Sequence, residues 1–153
     1  MLFAKLAVMI GLVINPMTVT KIIDGDTIDI ASSGATIRVR LYGIDAPEKK
    51  QEYGQEATNC AKQFLLGRTG LVKTYGSDLY GRALGEVYLN GRNINPSLVS
   101  MGCAWATPQY LPMSRLQDYV KPQIAAKANR IGLWAKQNQM EPSVWRKQNK
   151  IKS

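Results

Sequence analysis

The sequence predicts a small α+β domain of the barrel type, and three observations carry that expectation. Short β-prone stretches bounded by turn residues recur through the first 42 positions and again around position 80. In the stretch 35–42, Ile37, Val39 and Leu41 alternate with Arg38, Arg40 and Tyr42, the period-two pattern of a half-buried sheet. Between Gly54 and Leu66, Ala57, Cys60, Ala61, Phe64 and Leu65 fall on one stripe, the pattern of an amphipathic helix.

Taken in order, the first strand is expected over 17–23, with Asp24-Gly25 as the turn after it. A second strand follows over 27–31, a turn at Ser32-Ser33-Gly34, and the third strand over 35–42. Alternation aims Arg40 away from the side that holds Val39 and Leu41. Gly67 is a suitable stop for the helix over 54–66. Two more strands, 71–75 and 83–89, are joined by a loop containing Gly76, Asp78 and Gly81. Asn95-Pro96 reads as a helix start, with Asn95 as N-cap and Pro96 in the first turn, and Gly102 ends that helix. A final helix reaches Asn129, and Pro122 must either kink it or mark its beginning.

A chain of 153 residues can bury one core but not two comfortable ones, and 45% hydrophobic with 20% charged residues is an ordinary globular composition. The formal charge of +9 and the pI near 9.7 favour a polyanionic partner, because each phosphate neutralised releases a condensed counterion. The acids are not spread evenly. Asp24, Asp26, Asp29, Asp45 and Glu48 crowd into one short stretch of this basic chain. Such a site of negative potential needs a cation, and Ca²⁺ or Mg²⁺ suits an all-carboxylate cluster. Histidine is absent, which removes His-ligated zinc, Ser-His triads and nucleases that use histidine as base.

The ends and the cysteines leave alternatives. Lys5 followed by the apolar run 6–14 resembles a secretory leader, which places the protein outside the cytoplasm or in the periplasm. The other reading is an apolar segment packed on a cytoplasmic domain. Nine residues cannot span a bilayer. The domain proper is therefore expected over 17–145, after an N-terminal segment 1–16. A basic tail, 146–153, reads as solvated and frayed, or else as a supporting contact to nucleic acid. Cys60 and Cys103 could form one disulfide or remain two buried thiols.

Three motifs are weak in isolation. Asp24-Gly25-Asp26-Thr27 reads as a hairpin turn, the run from Leu41 to Glu48 as a strand ending in a Pro-containing turn, and Tyr80-Gly81-Arg82 as a loop. Together and in this order, with Gly132-Leu133-Trp134 downstream, they resemble the staphylococcal nuclease family, whose elements are D-G-D-T, R-x-x-x-x-D-[AT]-P-E and Y-G-R. The resemblance runs over about 17–134.

The resemblance implies a five-stranded OB-type barrel with about three helices, acting as a monomer on DNA and/or RNA with Ca²⁺ as cofactor. Asp26 and Asp45 match the metal-binding carboxylates, and Ala46 a residue that offers its backbone carbonyl to the metal. Glu48 matches the general base, and Arg40 and Arg82 the phosphate-clamping arginines. Asp24 and Thr27 match groups that hold the metal ligands, and Tyr80 and Tyr110 the aromatic wall of the nucleotide pocket. Either tyrosine could instead pack at the barrel edge. Attack by water, in the family, displaces the 5′-oxygen and leaves a 3′-phosphate. The chemistry agrees: guanidiniums are rigid, permanently charged donors for a phosphoryl oxygen, and a carboxylate can take the water's proton.

Three positions depart from the pattern. The loop 49–53 is shorter than in the family's best-known member, Leu79 stands where that member has lysine, and Pro122 interrupts the last helix. A non-catalytic OB-fold binding module is the competing reading. Such modules usually lose carboxylates or arginines, and Asp26, Asp45, Glu48, Arg40 and Arg82 are all present here.

Overall fold

In the computed structural model, which describes residues 12–150, the alternating stretches pair as strands β1 (Val13–Asp24), β2 (Thr27–Ser32), β3 (Ala35–Leu41) and β4 (Ile44–Asp45). Four more follow: β5 (Thr69–Ser77), β6 (Ala83–Leu89), β7 (Arg92–Asn93) and β8 (Trp105–Ala106). β1, β2 and β3 form an antiparallel meander, while β5 pairs antiparallel with β1 and β6 with β5. A parallel pairing of β3 with β6, from Val39 opposite Ala83 to Leu41 opposite Gly85, closes these five strands into a barrel. This is the expected OB-type architecture. Val19, Ile28, Ile30, Val39, Val72 and Val87 fill its interior without exposure, and each such burial stabilises by about 1.5–3 kcal/mol.

Among the described residues four α-helices pack around the barrel: α1 (Gly54–Leu65), α2 (Ile94–Ser100), α3 (Leu116–Ala128) and α4 (Pro142–Asn149). The cap of α2 differs from its sequence reading. Asn93, not Asn95, caps α2, its side chain accepting from the Asn95 N–H. Asn95 is buried and bonds the Val87 N–H and the Tyr42 and Gly85 carbonyls, so a demand for buried partners outweighs its local capping preference. Pro122 lies inside α3 and does not begin it; the helix starts at Leu116, after a 3-10 turn over Met113–Arg115.

The domain also extends beyond both expected boundaries. Residues 1–11, which hold most of the proposed leader, lie outside the described residues. The end of that segment is strand: Val13 and Ile14 pair with Lys73 and Val72, and Pro16 sits at a register shift where no ladder N–H is needed. At the other end the basic tail is replaced by α4, which starts at a buried Pro142. Cys60 of α1 forms a disulfide with Cys103, just past α2, with Cα atoms 6.3 Å apart. No helix among the described residues is long and apolar enough to cross a membrane.

On the flank, Glu86 of β6 is fully buried and accepts from Arg115, Asn93, Tyr75 and Tyr119, which ties α3 and its preceding turn to the barrel. Tyr75 in turn stacks on Tyr42 with ring centroids 4.5 Å apart. Buried carboxylates persist only when so fully partnered.

Candidate active site

Barrel closure decides which side chains meet. Thr27 pairs with Arg40 across β2 and β3, and Arg40 with Leu84 across β3 and β6. The Asp24-Gly25-Asp26 turn, the end of β3 and the start of β6 therefore share one end of the barrel. There a cleft of about 320 Å³ is lined by Asp24, Asp26, Arg40, Asp45, Glu48, Tyr80 and Arg82, together with Arg38 and Arg146.

Each side chain is held by its neighbours. The Asp26 N–H donates to Asp24 Oδ1 (3.1 Å), which closes the turn. A Cβ at Gly25 would lie 2.6 Å from that of Ala46 and 3.1 Å from that of Ala57, so only glycine lets the turn, the loop after β4 and α1 come together. Asp26 is 7% exposed; its Oδ1 accepts from the Thr27 hydroxyl (3.0 Å) and its Oδ2 from the Ala46 N–H (2.7 Å). Arg40 donates through Nη1 to the Leu41 and Ile44 carbonyls (both 2.8 Å) and through Nη2 to Asp45 Oδ1 (3.1 Å), 3.5 Å from Asp26.

Glu48 stands in the loop between β4 and α1, and Gln51 ties that loop. The Gln51 side chain accepts from the Glu48 N–H (3.1 Å) and donates to the Met140 carbonyl (2.7 Å), while its own N–H bonds Glu48 O. Gly54 opens α1 so close to this loop that a Cβ there would stand 1.9 Å from Glu48 O. Across the cleft, Asp78 organises the Tyr80-Gly81-Arg82 loop: its Oδ1 accepts from the Tyr80 and Arg82 N–H groups, and its Oδ2 from Arg82 Nε at 2.5 Å. The Arg82 guanidinium lies 5.5 Å from the centre of the Tyr80 ring. Tyr80 is 51% exposed on the cleft rim. Tyr110 is 72% exposed and lines an adjoining hollow of about 390 Å³, which it shares with Tyr42, Arg82 and Asp45.

The largest difference from the sequence reading is Arg146. It was expected in a solvated tail, yet its side chain is only 11% exposed. Its Nη1 donates to Asp45 Oδ1 and Glu48 Oε1 (both 3.1 Å) and its Nη2 to Asp45 Oδ2 (3.0 Å). Because α4 folds back over the cleft mouth, a residue far along the chain becomes part of the site. Asp78 and Gln51 also join the site without belonging to any of the three motifs. Asp78 two residues before Tyr80 is a recognisable Asx-turn position; nothing local marks Arg146 or Gln51.

The charges are incompletely balanced. Burial, then repulsion by Asp26, pushes the Asp24 carboxyl up to about 7. Burial also raises Asp45, to about 6, with Arg146 and Arg40 working against it. Burial alone would raise Asp26 too, but the Arg40 charge and the Ala46 N–H hold it below the usual carboxylate range. Arg146 is disfavoured by burial yet kept firmly protonated by Asp45 and Glu48. Three carboxylates, Asp26, Asp45 and Glu48, thus meet the guanidiniums of Arg40 and Arg146 in direct contact, and Asp24 stands beside Asp26, so acids outnumber the two arginines that touch them. Among the described residues no three acidic side chains converge as a set of metal ligands.

A sequence model of staphylococcal nuclease homologues matches residues 38–136. The chain belongs to the staphylococcal nuclease family. It is 42% identical over 138 residues to an uncharacterized endonuclease of Haemophilus influenzae, covering 90% of this chain and 76% of that one. An uncharacterized endonuclease of Escherichia coli is 40% identical over 131 residues, with 84% and 82% covered. A micrococcal nuclease of Shigella flexneri is 38% identical over 141 residues, with 86% and 80% covered. The family match holds Arg40, Asp45, Glu48 and Arg82 and ends before Arg146.

Proposed function

We propose that this member of the staphylococcal nuclease family is a calcium-dependent nuclease that hydrolyses phosphodiester bonds of DNA and RNA with little sequence preference. The observation that carries the reading is the convergence of Asp26, Asp45, Glu48, Arg40 and Arg82 on one cleft of a strongly basic protein. The relatives named endonuclease and micrococcal nuclease support the reaction class.

Asp26, Asp45 and the Ala46 carbonyl would hold the cation. The donor set suits it, being all oxygen and including two carboxylates, of which Asp45 is raised by burial despite its arginine partners. Calcium, when bound there, supplies Lewis-acid stabilisation of a phosphoryl oxygen. Thr27 and Asp24 fix Asp26 from either side. Glu48, held by its backbone to Gln51, takes the proton of the attacking water. Arg82, its Nε fixed by Asp78, meets the charge that builds on the non-bridging oxygens, and Arg40 does so from the barrel wall. Tyr80 and Tyr110 offer exposed rings to bases, a sequence-tolerant contact. The product ends carry 3′-phosphate, as in the family. The Cys60–Cys103 disulfide supports an oxidising compartment, outside the cytoplasm.

The test incubates pure protein and its Glu48→Gln variant with single- and double-stranded DNA and RNA, in Ca²⁺, Mg²⁺ or chelator at fixed salt. Cleavage is expected in Ca²⁺, weak in Mg²⁺ and absent in chelator, and Glu48→Gln should lose roughly 10²–10⁴-fold in turnover with binding nearly intact. Full activity in chelator overturns calcium dependence. A wild type that binds nucleic acid but never cleaves it is a binding module.

A further inference from the structure

We propose that Arg146 is a positioning residue: one guanidinium, delivered by α4, holds Asp45 and Glu48 in fixed relation and sets how tightly their carboxylates take a cation. This deepens the nuclease reading and rests on it. Arg146 lies beyond the residues that the family match covers.

The hydrogen bonds carry the argument. Asp45 Oδ1 accepts from both Arg40 and Arg146, and Oδ2 accepts from Arg146. A carboxylate oxygen offers two lone-pair sites, so these bonds fill Oδ1 and leave one site on Oδ2. A cation at Asp45 therefore shares that carboxylate with Arg146 or displaces it. The same Nη1 that reaches Asp45 also reaches Glu48, so the guanidinium bridges a carboxylate proposed for the cation and one proposed for the proton. Being planar and little exposed, it fixes the relative orientation of both groups before substrate arrives. Its placement is built in. The Gln51 side chain, which receives the Glu48 N–H, also bonds the Met140 carbonyl just ahead of α4. Loop and helix are thus held together by one buried glutamine.

Two effects of opposite sign follow. Removing the Arg146 charge leaves Asp45 and Glu48 less neutralised, so the site should hold calcium more tightly. Removing the bridge frees Glu48 to turn, so turnover should fall. A merely structural arginine would produce neither tighter calcium nor a loss confined to kcat.

The test measures calcium binding by isothermal titration calorimetry without substrate, then kcat and KM on single-stranded DNA with calcium saturating, for wild type, Arg146→Gln and Arg146→Lys. Arg146→Gln should bind calcium roughly tenfold more tightly, the scale of one charge-assisted hydrogen bond, and lose roughly ten- to a hundredfold in kcat with KM little changed. Arg146→Lys keeps the charge but not the fork: its calcium affinity should stay near wild type while kcat remains low. Unchanged or weaker calcium binding in Arg146→Gln, or wild-type kcat in both variants, overturns the proposal. Should Arg146→Gln fail to fold, Arg146→Lys decides it, since wild-type kcat there removes the need for the bridge. A wild type that ignores calcium yet cleaves in chelator sinks the calcium reading alone. The kcat and KM of the two variants then still decide whether Arg146 orients the base.

Discussion

Raising the pH should destabilise the metal-free protein between about pH 4 and pH 7, and calcium should remove that loss. Asp24 is raised to about 7 and Asp45 to about 6, both first by burial, from an unfolded value of 3.8. In that window the folded state binds more protons than the unfolded state, so unfolding free energy falls as pH rises. Asp26 and Glu86 are shifted down, and their stabilisation is lost only as the pH drops below about 4, so they do not cancel the effect. Each pH unit of displacement is worth about 1.4 kcal/mol. Asp24 and Asp45 together set an upper bound of about 7 kcal/mol on the loss, a large share of a typical domain's stability. Urea denaturation from pH 4.5 to 8, in chelator and in excess calcium, measures it. Asp24→Asn, which never ionises, should flatten the metal-free profile. Stability in chelator that is flat or rises across this range, with Asp24→Asn tracing the same curve as wild type, would refute the charge-imbalance argument.

Two further outcomes can be checked alongside it. Arg82→Ala should lower kcat by roughly 10³–10⁵-fold with little change in Tm, because its loop lies outside the barrel core; near-normal turnover in a stopped assay would remove it from the transition state. Replacing Cys60 and Cys103 together by serine opens a loop of sequence separation 43, which should cost about 4 kcal/mol and lower Tm by roughly 10 °C in a calorimetric scan.

What could be read from the chain was local chemistry. The alternation over 35–42, the helix stripe from Ala57 to Leu65 and the Asp-Gly turn each depend on neighbours a few positions apart, and strands β2, β3 and β6 and helix α1 lie within a residue of the expected bounds. The three motifs meet at one barrel end because β3 pairs with β6, a contact their order along the chain suggests only through the resemblance. Where the structure departs from local signals, a tertiary demand outweighs a local preference. Asn95 has the sequence of an N-cap but answers three buried backbone groups, and the cap passes to Asn93. Pro16 looks like the end of a segment because proline cannot donate to a strand ladder, yet a register shift admits it. Arg146 stands in a basic run that is normally solvated, and only the fold-back of α4 turns it toward Asp45.

The cleft also explains how a protein of charge +9 can gather carboxylates and still bind a polyanion. Each arginine on its wall is already engaged to a carboxylate: Arg38 to Asp29, Arg40 to Asp45, Arg82 to Asp78, and Arg146 to Asp45 and Glu48. Flexible arginines would surrender rotamer freedom on meeting a phosphate; these have surrendered it during folding, so less is lost when substrate arrives. The same pairs screen the arginines until a stronger anion competes. A phosphodiester entering between Arg40 and Arg82 would take over donors whose directions Ile44, Asp45 and Asp78 have already fixed. The acids released from those contacts then gain a reason to take a cation, so substrate and divalent ion should bind with positive coupling, each lowering the cost of placing the other.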